Sequence, residues 1–506
     1  LARDLTEFAQ SPHYMNYETV IGLEVHVQLQ TRSKMFCGCP ADYQYATPNS
    51  RVCPVCLGLP GSLPVINRKA VEYTIMTGLA LGCRIPEYSK FDRKNYPYPD
   101  LMKGYQISQY DLPLAEDGVL EIEVDGESRS VGVTRVHLEE DAAKLLHFPG
   151  EPGGPYSLVD VNRAGSPLME VVSEPDMRSP EEARAYLVTL HSIMQYLGVS
   201  AANMQDGNFR CDANVSIRPE GSREFGTRTE IKNMNSFRSV YLALNHEVDR
   251  QKRILEDGGR VTQETRGWIE ERGVTVSQRS KEHAHDYRYF PDPDLPPLQI
   301  EVDWVEEIRS NLPELAGQRR ERFVEQYGLP LYDADLLTGS RAMAEYFEDA
   351  VSRRPASSVD VGGFAKNISN WILGDLSRLM NLENLPLGEV KVRPMHLAEL
   401  QSLVDAGTLS NTMAKSVLEE VFATGEEPGK IVEDKGLSQI NDTSVVDSAV
   451  AQALADNPRA VADFIGGKET ASKFLVGQVM KITRGQAKPD LVQELVQSAL
   501  EAARND

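Results

Sequence analysis

The chain has 506 residues, 41% of them hydrophobic and 25% charged, with a formal net charge of −22. That length exceeds what one core can serve and calls for roughly two to four domains. The acidic excess argues against broad, nonspecific nucleic-acid binding, which rests on phosphate neutralisation, and leaves RNA only to a local basic patch.

No apolar run approaches the ~20 residues that span a bilayer, so no membrane association is expected. Residues 1–16 mix acid and base without an apolar centre and read as an N-terminal tail, not a signal peptide. Six cysteines, four of them clustered, suit a reducing compartment.

From Val20 to Leu29 apolar and polar residues largely alternate, as in a strand with one buried face. Glu24, His26 and Gln28 share the open face, because side chains two apart in a strand point the same way. A carboxylate beside an imidazole suits a divalent metal or a proton; an ordinary polar strand face is the competing reading. Next come Cys37-Gly38-Cys39 and Cys53-Pro54-Val55-Cys56 in Pro- and Gly-rich surroundings. Four thiolates from two such turns can close a tetrahedral structural zinc site. Disulfides, above all between the pairs, or free thiols are the alternatives, since tight Cys-x-Cys spacing strains a bridge within that pair. Lys90 to Asp111 mixes charges, aromatics and prolines with little period and reads as a functional surface loop.

Val71 to Leu81 reads as a packed helix ending near Gly82. Val119 to Glu123 and Arg129 to Val136 alternate around Asp125-Gly126, a hairpin signal. The second strand runs into His137-Leu138-Glu139-Glu140-Asp141, where three adjacent acids need a cation or bases to offset them. Ser157 to Val161 and Leu168 to Val172 read as strands, and Glu170 inside the latter is expensive to bury without a partner. Ser179-Pro180 starts a helix that ends at Gly198, with His191 read as packing. Phe209 to Arg218 and Arg228 to Lys232 read as strands. Asn233-Met234-Asn235-Ser236-Phe237 reads as a helix cap. His283 to Phe290 reads as a loop returning to the active face.

After Trp304 the pattern turns helical, with predicted helices at 319–327, 341–351, 364–380, 397–405, 413–422, 444–455, 459–465, 471–482 and 490–503. Gly and Pro between Gly425 and Gly436 predict a hinge. Lys473, Lys481, Arg484 and Lys488 form the best local basic patch; a solvated helix face is the alternative.

Neither a P-loop nor a dinucleotide-binding glycine fingerprint occurs, and no nucleophile elbow or amidase-type Ser-Lys signature. What remains is a set of strand-borne acids and a histidine: Glu24, His26, Glu139, Glu140 and Glu170. Metal-assisted phosphoryl transfer needs such a set.

Glu18 to Leu29, Lys90 to Asp100, Tyr105 to Asp111, Val136 to Ala142, Asp160 to Arg163, Pro167 to Asp176, Arg210 to Ser216 and Asp286 to Pro291 resemble the B-subunit family of the aspartyl/glutamyl-tRNA(Asn/Gln) amidotransferases. The resemblance runs from about Tyr17 almost to the C-terminus. It implies an α+β fold with a mixed-sheet cradle like that of glutamine synthetase and guanido kinases (17–303), a helical domain (304–410) and a YqeY-like helical tail (411–506). The tail likeness starts as early as residue 341.

The implied activity is ATP-dependent phosphorylation of the side-chain carboxylate of Glu-tRNA(Gln) or Asp-tRNA(Asn), then amidation by channelled ammonia. The implied magnesium ligands are His26, Glu140 and Glu170, with Glu24 and Glu139 as neighbours. Lys103, paired with Glu140, and Lys94 lie along the implied ammonia channel. Zinc at Cys37, Cys39, Cys53 and Cys56 is structural. Implied partners are the amidase (A) subunit, the small (C) subunit, the misacylated tRNA, bound through the tail lysines and Arg484, and the matching aminoacyl-tRNA synthetase. The implied setting is the bacterial cytoplasm, not an organelle matrix. Two other functions compete: a non-catalytic, zinc-stapled tRNA-binding scaffold, and a small-substrate ATP-dependent ligase, which the helical half disfavours.

Overall fold

A computed structural model describes residues 16–150, 154–280, 286–355, 360–437, 443–468, 470–483 and 487–505. Its strands are β1 (Tyr17–Gln28), β2 (Tyr88–Ser89), β3 (Asp92–Asn95), β4 (Tyr105–Ser108), β5 (Ala115–Val124), β6 (Glu127–Glu140), β7 (Lys144–Phe148), β8 (Tyr156–Asp160), β9 (Pro167–Ser173), β10 (Phe209–Pro219), β11 (Thr229–Met234), β12 (Glu264–Ile269), β13 (Val274–Ser280), β14 (Phe290–Pro291) and β15 (Leu298–Gln299). Among the described residues eleven of these form one sheet, in the order β13-β12-β11-β10-β1-β9-β6-β4-β3-β14, with β5 paired to β6. All the neighbours are antiparallel except β11 and β12.

The centre of this sheet is β1. Its alternation sorts Ile21, Leu23, Val25 and Val27, all at most 1% exposed, to one face. Glu24 and His26 fall on the other. Helices α1 (Arg68–Ala80), α2 (Pro180–Leu197) and α3 (Phe237–Glu256) cover the apolar face: Ile75, Leu187, Leu190, Val240 and Leu244 join the β1 residues in one core. Each such buried side chain contributes about 1.5–3 kcal/mol. Helix α2 starts where its caps dictate. Ser179 accepts from the Glu182 amide, Pro180 occupies the first turn, and Gly198 closes it in a left-handed conformation. The β5–β6 hairpin turns at Asp125 (φ 54°) and Gly126 (φ 80°), the pair of positive φ angles that a type I′ hairpin turn requires. His191 packs edge-on against Phe209 and Phe237.

Three local expectations are corrected. Lys90 to Asp111 is not loop throughout: Asp92–Asn95 and Tyr105–Ser108 pair as β3 and β4, strands of four residues each, too short to show a period. The expected single strand near Ser157 is half of a hairpin, β7–β8, which stands apart from the main sheet. The expected hinge at Gly425 to Gly436 holds a helix, Pro428–Lys435, and both flanking glycines serve as left-handed caps.

The chain divides into two compact units, Leu1–Leu315 and Ala316–Asp506. The first ends with α4 (Val302–Ser310). Among the described residues the second is helical throughout and has two cores. One gathers residues from Phe323 to Val432, so helices on both sides of residue 410 share it; the other gathers residues from Val446 to Leu500. Within the first core a π-helical turn, Trp371–Leu376, joins Val361–Asn370 to Ser377–Glu383. No described helix is long and apolar enough to cross a membrane. Arg484 and His283 lie outside the described residues, as does the N-terminal tail up to residue 15.

Candidate active site on the sheet floor

The face of the sheet turned away from α1–α3 is its floor. Strand register decides what converges there. His26 lies opposite Arg210 on β10 and opposite Glu170 on β9, and Glu170 in turn lies opposite His137 on β6. Glu139, two residues beyond His137, projects from the same face. His26 Nε2 lies 3.5 Å from Glu170 Oε2 and 3.7 Å from Glu139 Oε1. His137 Nε2 is 3.3 Å from Glu170 Oε2. One donor atom each from His26, Glu139 and Glu170 fit within 4.8 Å of one another, a set that could hold a metal ion.

The electrostatics show how much positive charge this floor demands. Burial disfavours charge on His26, but its hydrogen bond to Glu170 and the charges of Glu170, Glu139 and Asp212 lift its pKa to about 9. Burial would raise the Glu170 carboxyl; His137 and His26 hold it well below the usual carboxylate range. Burial also opposes charge on Lys94, and Glu139, Tyr289, Glu170 and Tyr287 raise its pKa regardless. Ser108 Oγ donates to Glu139 Oε2 at 3.3 Å. His137 Nδ1 is buried without a hydrogen-bond partner. Two buried carboxylates and an imidazole edge, aimed at one point, are the donor chemistry that a divalent cation satisfies.

Above this point opens a cavity of about 680 Å3, lined among others by His26, Lys94, Tyr96, Glu139, Arg210 and Lys232. Arg210 and Lys232 are absent from the sequence-derived site. Arg210 Nη2 donates to Asp141 Oδ2 at 3.1 Å; Lys232 Nζ pairs with Asp212 and, at 3.0 Å, with Glu230. The alternation of Phe209 to Arg218 already puts Arg210 on the face of Asp212, so the signal was present. Glu24 lies further along the same face, outside the three-donor group, and accepts from Asn214 Nδ2 at 3.0 Å. Burial, then Glu170, Asp212 and Glu230, raise its pKa against Lys232.

Of the expected set His26, Glu140 and Glu170, the structure brings His26 and Glu170 together with the neighbouring Glu139, and turns Glu140 away. Adjacent strand residues face opposite ways. Glu140 therefore projects from the helix-covered face, where its Oε1 accepts from Lys103 Nζ and, at 2.9 Å, from the Ile107 amide. The contact between Lys103 and Glu140 is thus present, whereas Lys94 lines the floor cavity on the other face.

Beside Glu140 stands the cysteine loop. Sulfur atoms of Cys37, Cys39, Cys53 and Cys56 lie within 4.8 Å of one another, and all six cysteines of the chain are free thiols. The Cys53 amide donates to Cys56 Sγ at 3.1 Å. The Cys56 thiol is drawn down to about 5, first by its hydrogen bond with Cys37, against burial, with the Cys53 backbone and the charge of Lys34 adding. A small cavity of about 220 Å3 opens between this loop, Lys103 and Glu140. In the helical unit Lys473, Lys481 and Lys488 are exposed.

Residues 19–306 match the model of the GatB/GatE catalytic domain, and residues 345–500 match that of the GatB domain. The chain is similar to the B subunit of the aspartyl/glutamyl-tRNA(Asn/Gln) amidotransferase of Dehalococcoides mccartyi, 57% identical over 487 residues, with 96% of this chain and 99% of the relative covered. The protein of the same name from Moorella thermoacetica is 56% identical over 486 residues (96% and 100% covered). That of Thermodesulfovibrio yellowstonii is 53% identical over 482 residues (95% and 99%).

Proposed function

The chain belongs to the GatB/GatE family, and we propose that it is the transamidating subunit of a tRNA-dependent amidotransferase, with the floor cavity as its reaction site. The observation that carries this reading is the convergence of His26, Glu139 and Glu170, from three strands, at the base of a cavity rimmed by Lys94, Arg210 and Lys232. A carboxylate is a poor electrophile. An oxygen of the substrate's Glu or Asp side chain attacks the γ-phosphorus of ATP, the bond to the bridging oxygen breaks, and ADP leaves. Ammonia nitrogen then bonds to the acyl carbon, the carbon–oxygen bond to phosphate breaks, and one ammonia proton passes to the departing phosphate.

Positioning and charge neutralisation supply most of the catalysis in such transfers. His26, Glu139 and Glu170, with Glu24 beside them, would hold magnesium, which when bound offsets phosphate charge. Lys94, Arg210 and Lys232 present positive charge to the phosphates and to the substrate carboxylate. Glu140 and Lys103 form a polar contact on the opposite face, suited to the path by which ammonia arrives from the amidase partner; the small C subunit is the third member of the complex. The four cysteines hold zinc, which staples their loop. Lys473, Lys481 and Lys488, with Arg484, contact tRNA phosphates. The polar floor on a mixed sheet supports likeness to the glutamine synthetase and guanido kinase cradle over residues 17–303. The match over 345–500 supports a tRNA-reading tail behind the helical domain. The bacterial relatives support work in the bacterial cytoplasm.

The test combines the full chain with its partner proteins, ATP, magnesium and Glu-tRNA(Gln). H26A and E170A should abolish formation of Gln-tRNA(Gln) even with added ammonium, and leave tRNA binding intact. A scaffold with merely solvated acids would keep ammonium-dependent amidation in both variants.

A further inference from the structure

Lys34 is a residue that the proposed mechanism leaves unexplained. It is completely buried, one of the largest side chains in the molecule to be so. A buried ammonium is disfavoured by several kcal/mol unless opposite charge and hydrogen bonds compensate it. Yet among the described residues the one hydrogen bond of its Nζ runs to the Val161 carbonyl at 3.4 Å, long for a charged donor and only one of the three that an ammonium can make. It forms no ion pair with a described carboxylate. Glu140 is close by, but its Oε1 is occupied by Lys103 and the Ile107 amide.

What surrounds Lys34 is the cysteine loop. Its amide donates to the Cys39 carbonyl at 2.9 Å, so its backbone is part of the first cysteine turn. Asn67, the cap of α1, donates to the Lys34 carbonyl at 3.2 Å and fixes it from the other side. The side chain then runs inward past Gly165. A Cβ built on that glycine would lie 3.7 Å from Cys56 Cβ, 3.7 Å from Lys34 Cδ and 3.9 Å from Glu140 Oε2. Lys34, Cys56 and Glu140 therefore meet at one place. A zinc ion with four thiolates leaves two negative charges in excess. A buried cation beside it, short of partners, is the complement that such a centre calls for.

We propose that Lys34 is the counter-charge of a four-thiolate zinc centre at Cys37, Cys39, Cys53 and Cys56, and that it ties this centre to the wall carrying Glu140 and Lys103. The inference rests on the zinc reading given above. Lys34 is a positioning residue: it touches no substrate, and it acts by lowering the electrostatic cost of gathering four thiolates. It also makes the centre and the wall interdependent, since the loop that carries Cys56 abuts Lys103 at Gly58, where a Cβ would overlap the lysine side chain.

The experiment measures the zinc dissociation constant of the full chain by competition with a chromogenic chelator, in wild type, K34M, K34Q and K34R. K34M fills the space without charge, K34Q keeps a donor for the Val161 carbonyl without charge, and K34R keeps the charge. K34M and K34Q should bind zinc about 10–100-fold more weakly, the usual effect of removing an outer partner of a metal site, and K34R should stay near wild type. Cobalt-loaded protein gives a second readout: its sulfur-to-metal absorption band should weaken in K34M and K34Q at equal added cobalt. Should K34M not fold, K34Q decides. Zinc binding in K34M or K34Q within twofold of wild type overturns the proposal, as does loss in K34R as large as in K34M, which marks a packing role. If wild type itself holds no zinc, it is the zinc reading that fails.

Discussion

The two faces of β6 at its C-terminal end carry different chemistry one residue apart. Glu139 looks onto the floor, where His26 and Glu170 reach the same point and Lys94, Arg210 and Lys232 ring a cavity. Glu140 looks the other way, onto Lys103 and the cysteine loop. Leu138, on Glu140's face, is completely buried in the core. A strand separates a reaction site from a supporting wall by parity alone, and three consecutive residues therefore take on three unrelated duties. Acids that stand side by side in a sequence need share nothing in space.

Substitution along these three positions should break the comparison if it is wrong. Glu139→Gln removes a negative donor from the floor and should lower amidation by about 10²–10³-fold, whether glutamine or ammonium supplies the nitrogen. Single-turnover assays on the assembled enzyme measure this. An ammonium-dependent rate near wild type would remove Glu139 from the reaction. Leu138→Ala should leave the rate per folded molecule almost unchanged and cost about 2–5 kcal/mol of stability, because it opens a cavity in a fully packed core. Chemical denaturation of the chain reads that cost, and a large loss of rate without loss of stability would contradict the assignment of faces.

The floor was half legible in the sequence. Alternation from Val20 to Leu29 revealed a one-sided strand with Glu24 and His26 outward, because β1 has one face fully apolar. The expense of burying Glu170 pointed to a partner for it. Which of Glu139 and Glu140 joins them was not legible. That depends on the pairing of His137 with Glu170, a register set by distant residues, and resemblance alone selected Glu140. Arg210 lies in one of the segments that carry the resemblance, and its parity matches Asp212, but an arginine on a strand face is by itself no mark of a site. Strands β3 and β4 and the helix Pro428–Lys435 escaped because four- and eight-residue elements carry too little period, and Gly425 and Gly436 look alike as caps and as breakers.

Two smaller effects probe the wall. Glu140→Gln leaves Lys103 without its charged acceptor, a loss on the order of 1.5–3 kcal/mol for a hydrogen bond between charged groups. If the contact serves ammonia delivery, the glutamine-dependent rate should fall by about tenfold or more, while the ammonium-dependent rate changes much less. Equal losses in both would place Glu140 functionally with Glu139 and erase the distinction between the faces. The ratio of the two rates is the quantity to measure, since it cancels any general loss of folded enzyme.

Gly165→Ala is the mildest of these tests and the most local. Gly165 has φ +79°, a conformation that costs an alanine about 1–2 kcal/mol. Space is not the obstacle, because the nearest atoms to the new Cβ stand at 3.7 Å, ordinary contact distance. The backbone there is also held: the Met35 amide donates to the Gly165 carbonyl at 2.7 Å, and the Gly165 amide donates to the Asp141 carbonyl at 2.9 Å. Relaxing φ would therefore pull on the cysteine loop through Met35 and on the end of β6 through Asp141. If those bonds hold, denaturation should show the cost of the φ angle alone, with both amidation rates unchanged. If instead the backbone yields, both amidation rates should drop with stability, because Asp141 lines the floor cavity and accepts from Arg210 there, so strain passed through it reaches the floor as well as the cysteine loop.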